Sequence, residues 1–185
     1  MSLITNIFNK IDELKGGGIN HIIFESYEPL IFTYAVRNNE YLFICPKHTN
    51  NEIIWIGNLV DNSIILKMLT NKITVRDAIL NDTYDKNKMI IKYEANKQDV
   101  SLKIVSIADI PDYLLPTNGE YLDAEDGEYD DIIDEINSSN VVPLIDQHWI
   151  FEVFTRKFKV SINNKNNVNK KFDFIEQIKT FNWFL

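Results

Sequence analysis

In the N-terminal segment apolar positions recur at helical spacing. Leu3, Ile4, Ile7, Phe8, Ile11 and Leu14 share one face, which predicts a helix over Ser2 to Leu14. Gly16, Gly17 and Gly18 then stop it, because glycine leaves the backbone free to turn. Beyond them the pattern changes to short apolar, β-branched and aromatic runs separated by turn residues. Strands are predicted at Asn20 to Ser26, Leu30 to Val36, Glu40 to Cys45 and Glu52 to Ile56, forming an antiparallel meander whose second hairpin closes at Asn38 and Asn39. Helical periodicity returns over Asp61 to Thr70. Thr74, followed three residues on by Asp77, opens another helix through Asn81 with a start resembling a capping box. Strands resume at Lys88 to Glu94 and Ser101 to Ile107 about a turn at Lys97 to Asp99.

Two prolines and a glycine-containing turn interrupt regular structure from Pro111 to Asn118. In the next segment Tyr129, Ile132, Ile133 and Ile136 fall at i, i+3, i+4 and i+7, predicting a short amphipathic helix over Glu128 to Asn137. His148 to Ile162 reads as a long strand or bent hairpin arm, Asn163 to Lys171 as a loop, and Phe172 to Leu185 as a terminal helix with Phe174, Ile175, Ile178 and Phe181 turned inward. The expected fold class is therefore α+β: an antiparallel sheet of hairpins covered by several helices, in a single compact domain spanning 1–185. A chain of 185 residues can bury roughly 70% of its unfolded surface, as one domain does.

Composition narrows the class. Apolar residues make up 45% and charged residues 25%, which disfavours disorder, and the single cysteine excludes a disulfide framework. No apolar run approaches the roughly 18 residues of a spanning helix, and Met1 to Lys15 carries charge without a cleavage site. A cytoplasmic location without membrane contact is expected. The 28 isoleucines, 22 asparagines and 16 lysines against 3 arginines and 5 alanines look like codon pressure from an AT-rich genome, so asparagine-rich stretches carry little meaning.

Charge changes the picture most. The net charge is −8, yet residues 1–103 hold 12 basic and 12 acidic side chains, residues 104–155 hold 13 acidic and no basic ones, and residues 156–185 hold 7 basic and 2 acidic. The acids concentrate in Glu120, Asp123, Glu125, Asp126, Glu128, Asp130, Asp131, Asp134 and Glu135. On the predicted helix Asp130 with Asp134, and Asp131 with Glu135, are like charges one turn apart, each pair costing roughly 0.2–0.5 kcal/mol. Two explanations stand side by side. Either the face is solvated or neutralised within the chain by Arg156, Lys157 and Lys159, or it meets a basic partner surface or imitates nucleic-acid phosphate.

Other chemistry fails on its own requirements. Asp130, Asp131 and Asp134 spell Asp-Asp-x-x-Asp, as in isoprenoid synthases, but that chemistry needs a deep helical cavity and a second metal motif. Aligning Gly127 with position 6 of a calcium loop puts Leu122 where a carboxylate is required. Cys45 and His48 form only half of a zinc site, and His21 or His148 would have to converge on them. Gly16 to Gly18 follow a helix instead of opening one, so they do not cradle phosphate. No cofactor is expected. Arg156, Lys157, Lys159, Lys165, Lys170 and Lys171 beside Phe158, Phe172 and Phe174 could form a nucleic-acid stripe. Arginine scarcity and the acidic balance argue against direct nucleic-acid binding.

One pattern resembles a known family. Tyr27, Pro29, Leu30 and Phe32, then Tyr41-Leu42-Phe43-Ile44, a short helix with Leu69, Lys72-Ile73-Thr74-Val75-Arg76-Asp77-Ala78, and Leu115-Pro116 with Gly119 and Tyr121 are similar to a family of uncharacterised bacterial proteins. These read hairpin, hairpin, helix, then Leu-Pro-x-x-Gly-x-aromatic, and the resemblance covers about residues 20–123. It implies an α+β body of bacterial or phage origin, and no catalytic residue, since the family has no assigned activity.

The sequence therefore points to a non-enzymatic interaction protein that presents its acidic residues 120–135 to a basic protein partner, as an inhibitor, immunity or anti-defence protein would. The alternative is a small divalent-metal-dependent hydrolase or nuclease using Asp109, Asp112, Asp123, Asp126 and Asp130. A third expectation is self-association through an aromatic patch of Phe181, Trp183 and Phe184.

Overall fold

The structure is a computed structural model and describes residues 3–26, 28–122 and 127–138. Its elements are α1 (Leu3–Phe8), β1 (Gly18–Ser26), β2 (Glu28–Val36), β3 (Asn39–His48), β4 (Glu52–Val60), α2 (Asn62–Leu69), α3 (Val75–Leu80), β5 (Asn87–Glu94), β6 (Asp99–Ser106) and α4 (Asp130–Ser138). Short 3-10 turns stand at Ile107–Asp109 and Asp112–Leu114. The six strands form one sheet in the order β1-β2-β3-β4-β5-β6, each antiparallel to the next. The expected α+β class and meander are present, with four short helices beside the sheet. The expected strand at His148 to Ile162, loop at Asn163 to Lys171 and helix at Phe172 to Leu185 lie outside the described residues.

An aromatic cluster ties α1 to the middle of the sheet. The Phe8 ring lies 4.8 Å from Phe43, 5.1 Å from Tyr34, 5.5 Å from Trp55 and 6.0 Å from Phe32, centroid to centroid. Phe32 and Phe43 are directly cross-strand and stack at 5.5 Å. Pairs of this kind add about 0.5–1.5 kcal/mol each beyond area burial. On β4 the residue opposite Phe43 is Gly57, where a Cβ would come within 2.3 Å of the Phe43 ring. That explains a strand that runs past the expected end at Ile56: Gly57 leaves room for the ring. The next residue, Asn58, is buried and donates from its side-chain amide to the Ala78 carbonyl of α3 at 2.9 Å.

Helix ends follow their local sequence. Asp61 caps α2 by accepting from the Ile64 amide at 3.0 Å. Thr74 and Asp77 make the full capping box at the start of α3, with the Asp77 amide donating to the Thr74 hydroxyl at 2.9 Å and the Thr74 amide donating to the Asp77 carboxylate at 3.2 Å.

Four expectations are corrected. The first helix ends at Phe8 instead of Leu14, because the chain tightens into i→i−3 bonds, among them Lys10 to Ile7 and Ile11 to Phe8, and the Asn9 side chain accepts the Gly16 amide at 3.0 Å. Ile11 and Leu14 are buried all the same. The second hairpin turns on Arg37 and Asn38, with φ of 58° at Arg37, while Asn39 already pairs with Val36 and is buried. β3 continues past the expected end at Cys45, through Pro46 to His48, by way of a register shift between Ile44 and Lys47. β6 begins at Asp99, and Gln98, with φ of 52°, takes the left-handed turn position.

Candidate functional site

Helix α4 is amphipathic in the sense expected. Tyr129, just before it, and Ile136 within it are buried, while Ile132 and Ile133 are half-buried against the core. Asp130, Asp131, Asp134 and Glu135 are exposed, and so is Glu128 ahead of the helix. Asp130 and Asp131 occupy the first turn, where the helix dipole favours them, but no basic residue stands in the last turn. Asp134 and Glu135 each stand one turn beyond a like charge. Gly127, with φ of 86°, reverses the chain ahead of the helix, and its carbonyl accepts the Asp130 amide at 3.3 Å. Burial, with the Glu128 charge nearby, pushes the Tyr129 hydroxyl up to about 12, so it stays neutral within this acidic setting.

Among the described residues no lysine or arginine lies within ion-pair distance of Asp130, Asp131 or Asp134. Glu135 approaches His21 of β1, with Oε2 3.7 Å from Nδ1, and His21 is 7% exposed where Glu135 is 65% exposed. This contact sets the C-terminal half of α4 beside β1, while the helix also packs against α2. Nothing in the sequence singled out His21 for that place, since it depends on how α4 docks.

The remaining acids play other parts. Glu120 is half-buried, and its carboxylate accepts the Thr117 amide at 3.2 Å while its carbonyl accepts the Val75 amide at 3.3 Å, joining the Leu-Pro-x-x-Gly turn to the start of α3. Asp123, Glu125 and Asp126 lie outside the described residues, as do Arg156, Lys157 and Lys159. Asp109 accepts from the Ser106 hydroxyl at 2.8 Å, and Asp112 pairs with Arg76, whose guanidinium also donates to the Pro116 carbonyl at 2.9 Å. Asp109 is thus engaged by a near neighbour and Asp112 by Arg76 of α3. Among the described residues no group of three or more His, Cys, Asp or Glu side chains gathers as metal ligands would.

Cys45 is buried, and its thiol, 3.4 Å from the Lys47 carbonyl, is pushed up to about 12 by that burial, so it is held in the unreactive protonated form. Cys45 and His48 line one small apolar recess with Leu3, Ile4, Pro29, Leu30, Ile53 and Trp55.

One group of charges on the sheet is neutralised within it. Glu52 and Glu94 stand directly opposite each other on β4 and β5, and Lys92 bridges them at 2.8 and 2.7 Å. Lys47 joins Glu52, and Lys97 reaches Glu94 at 2.5 Å. Hydrogen bonds from Lys92 and Lys97 lower the Glu94 carboxyl to about 2, those from Lys47 and Lys92 lower Glu52, and those to Glu52 and Glu94 raise Lys92. Among the described residues no helix is long and apolar enough to cross a membrane. Comparison of the chain with protein-family models, with curated proteins and with solved structures finds no match.

Proposed function

We propose that this chain is a non-enzymatic interaction protein in which short helices close over an antiparallel sheet and α4 offers its carboxylates to a basic partner protein. The observation that carries the reading is the exposure of Asp130, Asp131 and Asp134 on one helix whose other side is buried, with no cation of the described residues near them. A face of this kind raises association rates by about 10-fold or more at low salt, after which hydrogen bonds to arginine fix the register. An inhibitor, immunity or anti-defence protein that occupies a toxin site or nucleic-acid channel uses such a face. A bacterial or phage origin, implied by the family resemblance over residues 20–123, belongs to the same proposal.

The test is affinity capture from the native host, followed by salt titration of the captured complex with wild type and with D130N/D131N/D134N. Binding that weakens by about tenfold or more in the variant, and falls steeply with salt, supports the proposal. A complex indifferent to both sinks it.

A further inference from the structure

Among the described residues the sheet ends at β1 and at β6, and these two edges are built differently. β1 meets β2 with register irregularities between Ile19 and Ile22, Ile22 and Phe24, and Phe24 and Glu25. β6 runs against β5 without one, from Asn87 paired with Ser106 to Glu94 paired with Asp99. A bulged edge twists its backbone groups out of line, whereas a regular edge holds its outward N–H and C=O groups in the spacing that receives another strand. Among the described residues no strand lies beyond β6. Its side chains alternate: Asp99, Ser101 and Lys103 are exposed, and Val100, Leu102 and Ile104 are half-buried against the core. Among the described residues neither Asp99 nor Lys103 has an ion-pair partner.

We propose that β6 is a homodimerisation edge, on which a second copy of this chain adds its own β6 antiparallel to the first, with Ser101 on the two-fold axis. In that register Asp99 of each copy faces Lys103 of the other, and Val100 faces Leu102. The half-buried apolar side of the sheet then continues across the junction. Moving the axis to Leu102 sets Asp99 against Val105 and Lys103 against Ser101, and moving it to Val100 sets Asp99 against Ser101; both lose the opposite-charge pairs. Charge thus selects the partner and the register together. The acidic helix does not oppose this union. Its Glu135 lies beside His21 of β1, the strand at the opposite end of the sheet order from β6.

Sedimentation equilibrium of the full chain, from micromolar to submillimolar concentration, tests the assignment. Wild type is expected to dimerise, D99K alone and K103D alone to weaken the dimer by about tenfold or more, and D99K/K103D to recover to within about threefold of wild type. S101C supplies a second reading, because a cysteine on the axis cross-links to its own copy on mild oxidation while the native Cys45 is buried. A chain that stays monomeric throughout with S101C uncross-linked overturns the proposal, whatever else then covers the edge. A dimer whose charge swaps show no rescue overturns it equally.

Discussion

Two clusters of acids among the described residues are treated in opposite ways. Glu52 and Glu94 face each other across β4 and β5, a like-charge arrangement that disfavours pairing, and Lys92, Lys47 and Lys97 resolve it within the sheet. Asp130, Asp131 and Asp134 on α4 crowd one helical face, and no cation of the described residues resolves them. The first cluster spends its charge on holding a register. The second leaves its charge directed outward, at a cost of up to about 1 kcal/mol from its two like-charge pairs. A third charge is buried outright: Lys88, 1% exposed, donates from its ammonium to the carbonyls of Asn81 and Asp85 and is brought down to about 8 by burial against the pull of Asp85 and Asp82.

The comparison can be broken most severely at the frame beneath both clusters. Phe8→Ala removes the ring that meets Phe32, Tyr34, Phe43 and Trp55, and is expected to cost about 3–5 kcal/mol in urea denaturation, with the sheet and α4 lost in one transition. Separate transitions would show that the two clusters rest on independent supports.

Lys88 comes next. Its pKa is about 8 folded against 10.5 as the ordinary value, so below pH 8 the folded state carries a buried cation that the unfolded state holds in water. As pH rises from about 8 toward 10.5 the folded protein sheds this proton first, and stability should climb by up to about 3 kcal/mol over the whole window. Tyr84, held at about 12 by its hydrogen bond to Asp61, and Tyr129, held at about 12 by burial, work the other way only above pH 10. Urea midpoints of wild type and Lys88→Met from pH 7 to 10 isolate the lysine, and a wild-type slope no steeper than the variant's would refute its burial as a charge.

A smaller effect distinguishes the clusters directly. D134N/E135Q relieves both like-charge pairs on α4 and should raise stability by about 0.4–1 kcal/mol at low salt, with the gain shrinking as salt is added. A loss would mean that those carboxylates already have partners worth more than their repulsion. In the other cluster, Glu94 is held at about 2, below the ordinary 4.5, so its contribution is complete above the higher value and fades as pH falls through the lower. Glu94→Gln should flatten the acid side of the pH–stability curve by a small amount, as denaturation at pH 2 to 6 would show.

Much of the fold was legible in the chain because it is set by near neighbours. The Thr74 and Asp77 capping box, the Asp61 cap, the meander and the α4 stripe of Tyr129, Ile132, Ile133 and Ile136 all depend on residues within a turn or two of one another. Strand ends were less legible. The strand expected over Glu52 to Ile56 continues through Gly57 and Asn58, because one makes room for Phe43 and the other bonds to α3. For the candidate site, the exposure of Asp130, Asp131, Asp134 and Glu135 was readable, and the role of Glu120 as a turn clasp and of His21 as the neighbour of Glu135 was not.

The sequence by itself determined where charge accumulates and which side of α4 carries it, because composition and helical period are properties of adjacent residues. Only the tertiary structure decided which acids are answered. Glu52 meets Lys92, and Arg76 meets Asp112, across separations that follow from strand register and helix docking, and no local pattern encodes a distance between residues so far apart in the chain.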